Sequence, residues 1–205
     1  MSEKIVIDFY FDIASPYSYI AAARIEDFAR EVGCTTRWVP VLLGGIFRAT
    51  GNEMPARIQA KAQWMSKDLR MMSQMAGVPF RFPKIFPMNT VSHLRALIAA
   101  EKQGGQDALK RLAMEFYKLY WGQGRDISAE EWFAAASAGA GLSAEAMSAA
   151  NDDAEVKAQL IHNTEEAVER GAFGAPTFVI DDRLFWGNDR FEMMRWYLEH
   201  VRTES

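Results

Sequence analysis

Apolar and polar positions follow different rhythms in different parts of this chain, and each rhythm predicts an element. Ile5-Val6-Ile7-Asp8-Phe9-Tyr10-Phe11 is almost continuously apolar and β-branched or aromatic, the pattern of a central strand buried on both faces of a sheet. After Asp12-Ile13-Ala14, the run Ser15-Pro16-Tyr17-Ser18 opens a segment with apolar residues at Ala21, Ile25, Phe28 and Val32, stopped by Gly33. That spacing predicts a helix. Thr35 to Leu43 reads as a second strand. From about Pro55 to Asn151 the pattern is helical. Ile58, Ala62, Met65, Leu69, Met72 and Ala76 form one apolar stripe closed by Gly77. A loop rich in proline and phenylalanine, Val78 to Met88, leads to a cap at Asn89 or Thr90 and a helix on Leu94, Leu97 and Ile98. Leu109, Leu112, Ala113, Phe116 and Tyr120 mark another helix, and Ser128 with Glu131 has the spacing of a capping box ahead of Trp132 and Phe133. Asp152 or Asp153 opens a long helix through Val156, Leu160, Ala167 and Val168 that Gly171 ends. Thr177 to Ile180, a turn at Asp181-Asp182 and Arg183 to Trp186 predict a hairpin, followed by a helix on Phe191, Met194, Leu198 and Val201.

The order is β-α-β, a helical block, then α-β-β-α. Removing the middle leaves the thioredoxin arrangement, so the expected architecture is α/β: a thioredoxin-like fold with an all-helical domain inserted between its β-α-β and α-β-β-α halves. The expected limits are 1–54 and 152–205 for the thioredoxin-like unit and 55–151 for the insertion.

Composition narrows the function classes. With 205 residues, 49% hydrophobic and 24% charged, the chain can bury a sizeable core, and disordered or fibrous readings are excluded. A net charge of −4 provides no footprint for a nucleic-acid backbone. The first apolar stretch is too short and strand-like for a signal-peptide core and no other run approaches a membrane span, so a cytoplasmic protein without a membrane partner is expected. Cys34 is the single cysteine, which rules out an intrachain disulfide and any dithiol shuttle of the chain's own. His93, His162 and His200 are scattered, match no ligand spacing, and point to no metal.

The chemistry lies where the first strand turns into the first helix. Unpaired backbone N–H groups and the helix dipole converge there on an anion. A thiol of pKa about 8.5 held at such a place ionises more readily. Ser15 occupies the position, so the sulfur would have to come from a bound molecule; taken alone, Ser15 is equally a simple helix cap. Gly174-Ala175-Pro176-Thr177 precedes a strand, and a proline entering a strand by a tight turn is a candidate for a cis bond, the alternative being an ordinary trans proline in a loop. In a thioredoxin scaffold this proline faces the start of the first helix. Ala175 would then offer its N–H and C=O to a peptide ligand as an added strand does.

Asp8 to Tyr19, with Gly174-Ala175-Pro176-Thr177-Phe178 and Phe185-Trp186-Gly187-Asn188-Asp189-Arg190, resembles the 2-hydroxychromene-2-carboxylate isomerase family, which is similar to kappa-class glutathione transferases and to thioredoxin-fold disulfide oxidoreductases. The resemblance covers essentially the whole chain. Ser15-Pro16-Tyr17-Ser18 has serine at both ends of what is Cys-x-x-Cys in the redox branch. The resemblance implies glutathione as cofactor, with Ser15 as the catalytic group that hydrogen-bonds its sulfur. Ala175 before Pro176 would clamp the cysteinyl part, and Trp186, Gly187, Asn188 and Asp189 would hold the γ-glutamyl end, Asp189 by pairing with the α-amino group. Asn188 and Asp189 also suit plain helix capping. Asn52 and Lys61 match positions that face glutathione or substrate carboxylates, although a solvated surface lysine reads the same way. Phe11, Tyr17, Trp64 and Asn89 would line a pocket for an aromatic substrate, ordinary core packing being the alternative for the three aromatics.

The activity implied is interconversion of 2-hydroxychromene-2-carboxylate with trans-o-hydroxybenzylidenepyruvate, a small aromatic carboxylate, through reversible thiolate addition. A homodimer is implied as well. The rival readings are a kappa-like transferase or peroxidase acting on small electrophiles, and a binder of glutathione or an extended peptide without catalysis.

Overall fold

The computed structural model describes residues 4–201. Residues 1–3 and 202–205, which the expected limits include, lie outside the described residues. β1 (Val6–Phe11), β2 (Thr35–Pro40), β3 (Thr177–Ile180) and β4 (Arg183–Trp186) form one sheet in the order β2-β1-β3-β4. β1 and β2 run parallel, Phe9 opposite Trp38, while β3 is antiparallel to both of its neighbours. The central place of β1 explains its unbroken apolar run: both faces are covered. Ile7, Phe9 and Phe11 point to one side, where Phe9 meets Trp38 edge-on at 5.0 Å and stacks on Phe178 at 5.2 Å. Tyr10 points to the other side, onto Val39, Ile46, Ala167 and Val179. Beside it Asp8 pairs with Arg37 and Arg170, and burial pushes the Tyr10 phenol up to about 12 while it donates to Glu166.

The helices are α1 (Pro16–Glu31), α2 (Leu43–Thr50), α3 (Gln59–Met75), α4 (Val91–Tyr117), α5 (Glu130–Gly139), α6 (Ala144–Ala149), α7 (Ala154–Glu169) and α8 (Phe191–Trp196). The expected thioredoxin-like order is therefore present, with the helical run between its halves. One buried apolar cluster passes from Phe9 and Phe178 in the sheet through Leu97 and Leu112 of α4 to Met147 of α6, so sheet and helical block share a core. Among the described residues no helix is long and apolar enough to cross a membrane.

Some elements depart from expectation, for reasons that are remote in sequence in one case and local in others. β2 ends at Pro40 rather than Leu43 because Leu43 begins α2, its N–H held by the Asp12 carboxylate at 2.9 Å, while the Leu42 N–H goes to Thr164 of α7 at 3.0 Å. Gly44 and Gly45 disguise this helix; a Cβ on Gly45 would lie 3.1 Å from the Thr164 methyl, so the glycine permits the close approach of α7. The two helices expected around Leu97 and Leu112 join as α4, bent where Gly104 and Gly105 leave helical geometry. The Ser128 capping box does not form: its hydroxyl turns back to Asp126, and α5 starts after Ala129. α6 was not expected, for a six-residue helix with Met147 as its one buried apolar residue shows no periodicity.

His93 gives α4 a pH-sensitive anchor. Its Nε2 lies 2.8 Å from the Ile127 carbonyl and its Nδ1 3.2 Å from the Ser92 hydroxyl. A carbonyl only accepts, so Nε2 carries the proton and Nδ1 accepts. Burial lowers the imidazole pKa, so the folded chain binds this proton less well than the unfolded chain. Stability from this site is fully present above the ordinary value of about 6.5 and is lost as pH falls below it, by at most about 1.4 kcal/mol per unit. Melting temperature should fall between pH 7 and 5, and more shallowly in His93→Gln; equal slopes would remove His93 as the cause.

Candidate active site

Ser15 is the N-cap of α1 and is 3% exposed. Its Oγ accepts from the Ser18 N–H at 3.1 Å and donates to the Ala175 carbonyl at 2.9 Å. Pro16 has no N–H, and the Ser18 and Tyr19 amides are taken by Ser15 Oγ and the Ser15 carbonyl. The Tyr17 N–H meets no acceptor among the described residues. A hydroxyl and a free amide thus stand together at the positive end of a 16-residue helix.

The turn carrying Ser15 is fastened from several sides. Asp12, 2% exposed, accepts from the Ala14 N–H (2.9 Å) and the Thr90 hydroxyl (2.7 Å) on Oδ1 and from the Leu43 N–H on Oδ2. Burial raises its carboxyl pKa while these three bonds pull the other way. The Tyr117 hydroxyl donates to the Asp12 carbonyl at 3.2 Å and the Trp121 indole to the Ile13 carbonyl at 2.8 Å. The helical block therefore holds the backbone of the β1–α1 turn.

Facing it is the second half of the chain. The Ala175-Pro176 bond is cis, the Pro176 carbonyl accepts from Gly187 N–H at 3.0 Å, and the Ala175 N–H has no acceptor among the described residues. A Cβ on Gly174 would lie 2.7 Å from the Trp186 indole nitrogen, so only glycine lets Trp186 rest there, against Phe173 at 4.8 Å. Gly187 has φ +113°, and a Cβ on it would strike the Asp189 carboxylate at 2.5 Å. Asn188 is buried with its Nδ2 unpartnered, and Asp189 is partly exposed beside Arg190 at 3.2 Å. Neither side chain caps α8, whose N-cap is Arg190.

The remaining expected residues divide. Tyr17 donates to Asp68 of α3 at 2.9 Å; burial, Asp68 and the charge of Asp189 push its phenol up, so it stays a donor. Asn52 is occupied internally, donating to the Phe173 carbonyl and accepting from Glu53 N–H, both at 2.8 Å, and so it steadies the loop ahead of Ala175. Lys61 and Trp64 stand on the exposed side of α3, Trp64 at 61%. Phe11 requires correction: it is wholly buried between Trp38 (5.4 Å) and Tyr117 (6.1 Å) and lines no accessible pocket. Asn89 is exposed and turns its carbonyl to Val91 N–H at 3.0 Å, at the start of α4. The structure brings Ser15, Tyr17, Ala175, Pro176, Trp186, Gly187, Asn188 and Asp189 to one place. It adds Asp12, Asp68, Tyr117 and Trp121, which sequence reasoning missed; Asp68 carried a signal, a carboxylate inside the apolar stripe of α3.

Fold and site together define a thioredoxin-like domain in which a serine, not a cysteine, faces the cis-proline. The family model described as a DSBA-like thioredoxin domain matches residues 6–199, and the chain belongs to that family. The 2-hydroxychromene-2-carboxylate isomerase of Sphingobium xenophagum is 31% identical over 194 residues, 94% of this chain and 97% of that protein. Glutathione S-transferase kappa 1 of Caenorhabditis elegans is 27% identical over 92% of this chain and 88% of its own length. A solved structure of a 2-hydroxychromene-2-carboxylate isomerase superposes with TM-score 0.80 at 27% identity, over 97% of both chains.

Proposed function

We propose that this chain is a glutathione-dependent isomerase that interconverts 2-hydroxychromene-2-carboxylate and trans-o-hydroxybenzylidenepyruvate. The observation that carries the reading is Ser15 Oγ at the start of α1, 2.9 Å from the carbonyl that precedes the cis-proline. The names of the isomerase and kappa transferase relatives support it.

The donor set fits glutathione. Ala175 N–H lacks an acceptor and suits the cysteinyl backbone, the buried Asn188 Nδ2 lacks a partner, and the partly exposed Asp189 carboxylate suits an α-ammonium. Glutathione held by these residues would supply a thiolate, a reversible nucleophile towards the conjugated carbon of the ring-opened enone, which is the chemistry that lets a cis double bond be exchanged for a trans one. Ser15 would turn its hydroxyl proton from the Ala175 carbonyl to that sulfur while keeping its bond from Ser18 N–H. Tyr17 N–H and the α1 dipole add to the stabilisation of negative charge. Lys61 attracts the carboxylates of cofactor and substrate from the rim. Tyr17 and Trp64 provide aromatic surface on the α3 side.

Two measurements on one sample test the reading. The chromene absorbance should decay only when glutathione is present, and the free thiol titre should be the same before and after many turnovers. Consumption of one thiol per substrate would establish the kappa-like transferase instead, a check made in parallel with chlorodinitrobenzene. Decay in thiol-free buffer at an undiminished rate would sink both.

A further inference from the structure

We infer that a second binding site, separate from Ser15, takes a small planar aromatic carboxylate in the cleft between the end of α3 and the loop that follows it. The cleft has a volume of about 590 Å³ and is lined by Arg70 and Gln74 of α3 and by Pro79, Phe80, Arg81 and Phe82, which is the size and mixed character of a site for a small organic molecule.

The charge pattern selects the ligand. Arg70 and Arg81 face the same cleft, no acidic side chain lines it, and among the described residues neither guanidinium has a hydrogen bond, ion pair or ring contact. Two unneutralised cations sharing a cleft in a chain of net charge −4 are an attraction for an anion, and guanidinium geometry matches a carboxylate in a bidentate way. Phe80 and Phe82 meet edge to face at 5.3 Å, and Phe80 stacks on Trp121 at 5.9 Å. Phe80 and Phe82 offer the apolar wall that a planar aromatic body needs, and buried Trp121 backs Phe80 from behind.

The walls are fixed before any ligand arrives. Val78 N–H bonds the Ser73 carbonyl at 3.0 Å, Arg81 N–H the Trp121 carbonyl at 2.7 Å, and the Tyr19 hydroxyl the Pro79 carbonyl at 2.8 Å. Gly124, at φ +68°, leaves room for the stem of Arg81, whose Cγ would lie 3.0 Å from a Cβ there. The cleft is distinct from the Ser15 mouth. Asp68 holds Tyr17 on one side of α3, and Arg70, two residues on, is turned by about 200° to the opposite side.

trans-Cinnamate is the probe and trans-cinnamamide, its uncharged counterpart, the control, with affinity read by calorimetry and the site by amide shifts in a nitrogen-15 spectrum. Cinnamate should bind, shift the amides of Arg81 and Phe82, and outcompete cinnamamide. Arg70→Gln combined with Arg81→Gln should weaken it by at least about tenfold, whereas Ser15→Ala should leave cinnamate affinity as it was. Both arginines are exposed, so the folded state of the double variant is expected to survive and is checked by its melting curve. Absence of binding, unchanged affinity in the folded double variant, or shifts confined to residues around Ser15 would each overturn the assignment.

Discussion

Ser15→Ala should reduce glutathione-dependent turnover by about 100- to 1,000-fold, the usual loss when one preorganised donor to a developing or resident negative charge is removed, while leaving the protein folded. The two consequences separate because Ser15 has two jobs. As N-cap it accepts from Ser18 N–H, and deleting a cap removes about 1 kcal/mol, a few degrees of melting temperature in a chain of this size. As donor its proton is directed across the cleft at Ala175, the direction from which the sulfur would arrive. A pH profile gives a second readout. The rate should rise as the bound thiol ionises, and in Ser15→Ala that rise should move up towards the value of about 8.5 for an unassisted thiol. Ser15→Ala with a lower melting point but an unaltered rate and profile would reduce Ser15 to a cap. Loss of glutathione affinity in step with rate would instead indicate a binder's role.

How much of this was legible in the sequence follows from which interactions are local. β1, α1, the β3–β4 hairpin and α7 were readable because each is specified by its own pattern: the apolar run before Asp12, the Ser15-Pro16 start, the Asp181-Asp182 turn, and Asp153 capping Glu155 and Val156 N–H. The Ser15, Ala175 and Pro176 grouping was readable through the order of elements, since that order puts the two segments face to face. α2 was hidden because its capping carboxylate, Asp12, lies 31 positions away. Phe11 was misplaced for a related reason. Strand alternation shows that Phe11 faces one side of the sheet, and only the arrival of Tyr117 from α4 shows that this side is sealed. Asn52 could not be assigned because its partner carbonyl is on Phe173, 121 residues on.

The insertion does more than cover the sheet. Tyr117 and Trp121 grip the backbone of the β1–α1 turn, Thr90 grips Asp12, and Asp68 grips Tyr17. Each contact joins the helical block to the segment that carries Ser15. The geometry of the reactive end of α1 is thus set by residues about fifty to more than a hundred positions downstream. It follows that substitutions in the block can alter chemistry without touching a ligand.

Asp12 is where that coupling is most exposed to test, and its replacement should have the largest effect on stability of any single change at the site. Burial alone opposes its charge, yet the three groups around the carboxylate are all available as donors: Ala14 N–H and Leu43 N–H on different oxygens, and the Thr90 hydroxyl. Asp12→Ala orphans two part-buried amides and removes the acceptor of the buried Thr90 hydroxyl, and it should destabilise the fold by about 2–4 kcal/mol, a large share of the roughly 5–15 kcal/mol of a typical domain. Asp12→Asn is the sharper experiment. The Thr90 hydroxyl can reverse and accept from an asparagine NH₂, but the two backbone amides approach opposite ends of the side chain, and no orientation of one carbonyl and one NH₂ satisfies both. Asn should therefore recover only part of the loss, with hydrogen exchange quickened at either Ala14 or Leu43 rather than at both. Because Ser15 N–H bonds the Asp12 carbonyl at 3.0 Å, turnover in the folded Asp12→Asn protein should fall too, through displacement of Ser15 rather than loss of a reacting group. An Asp12→Asn protein with the urea midpoint and rate of the parent would show that the carboxylate is dispensable and that Tyr117 and Trp121 hold the turn unaided.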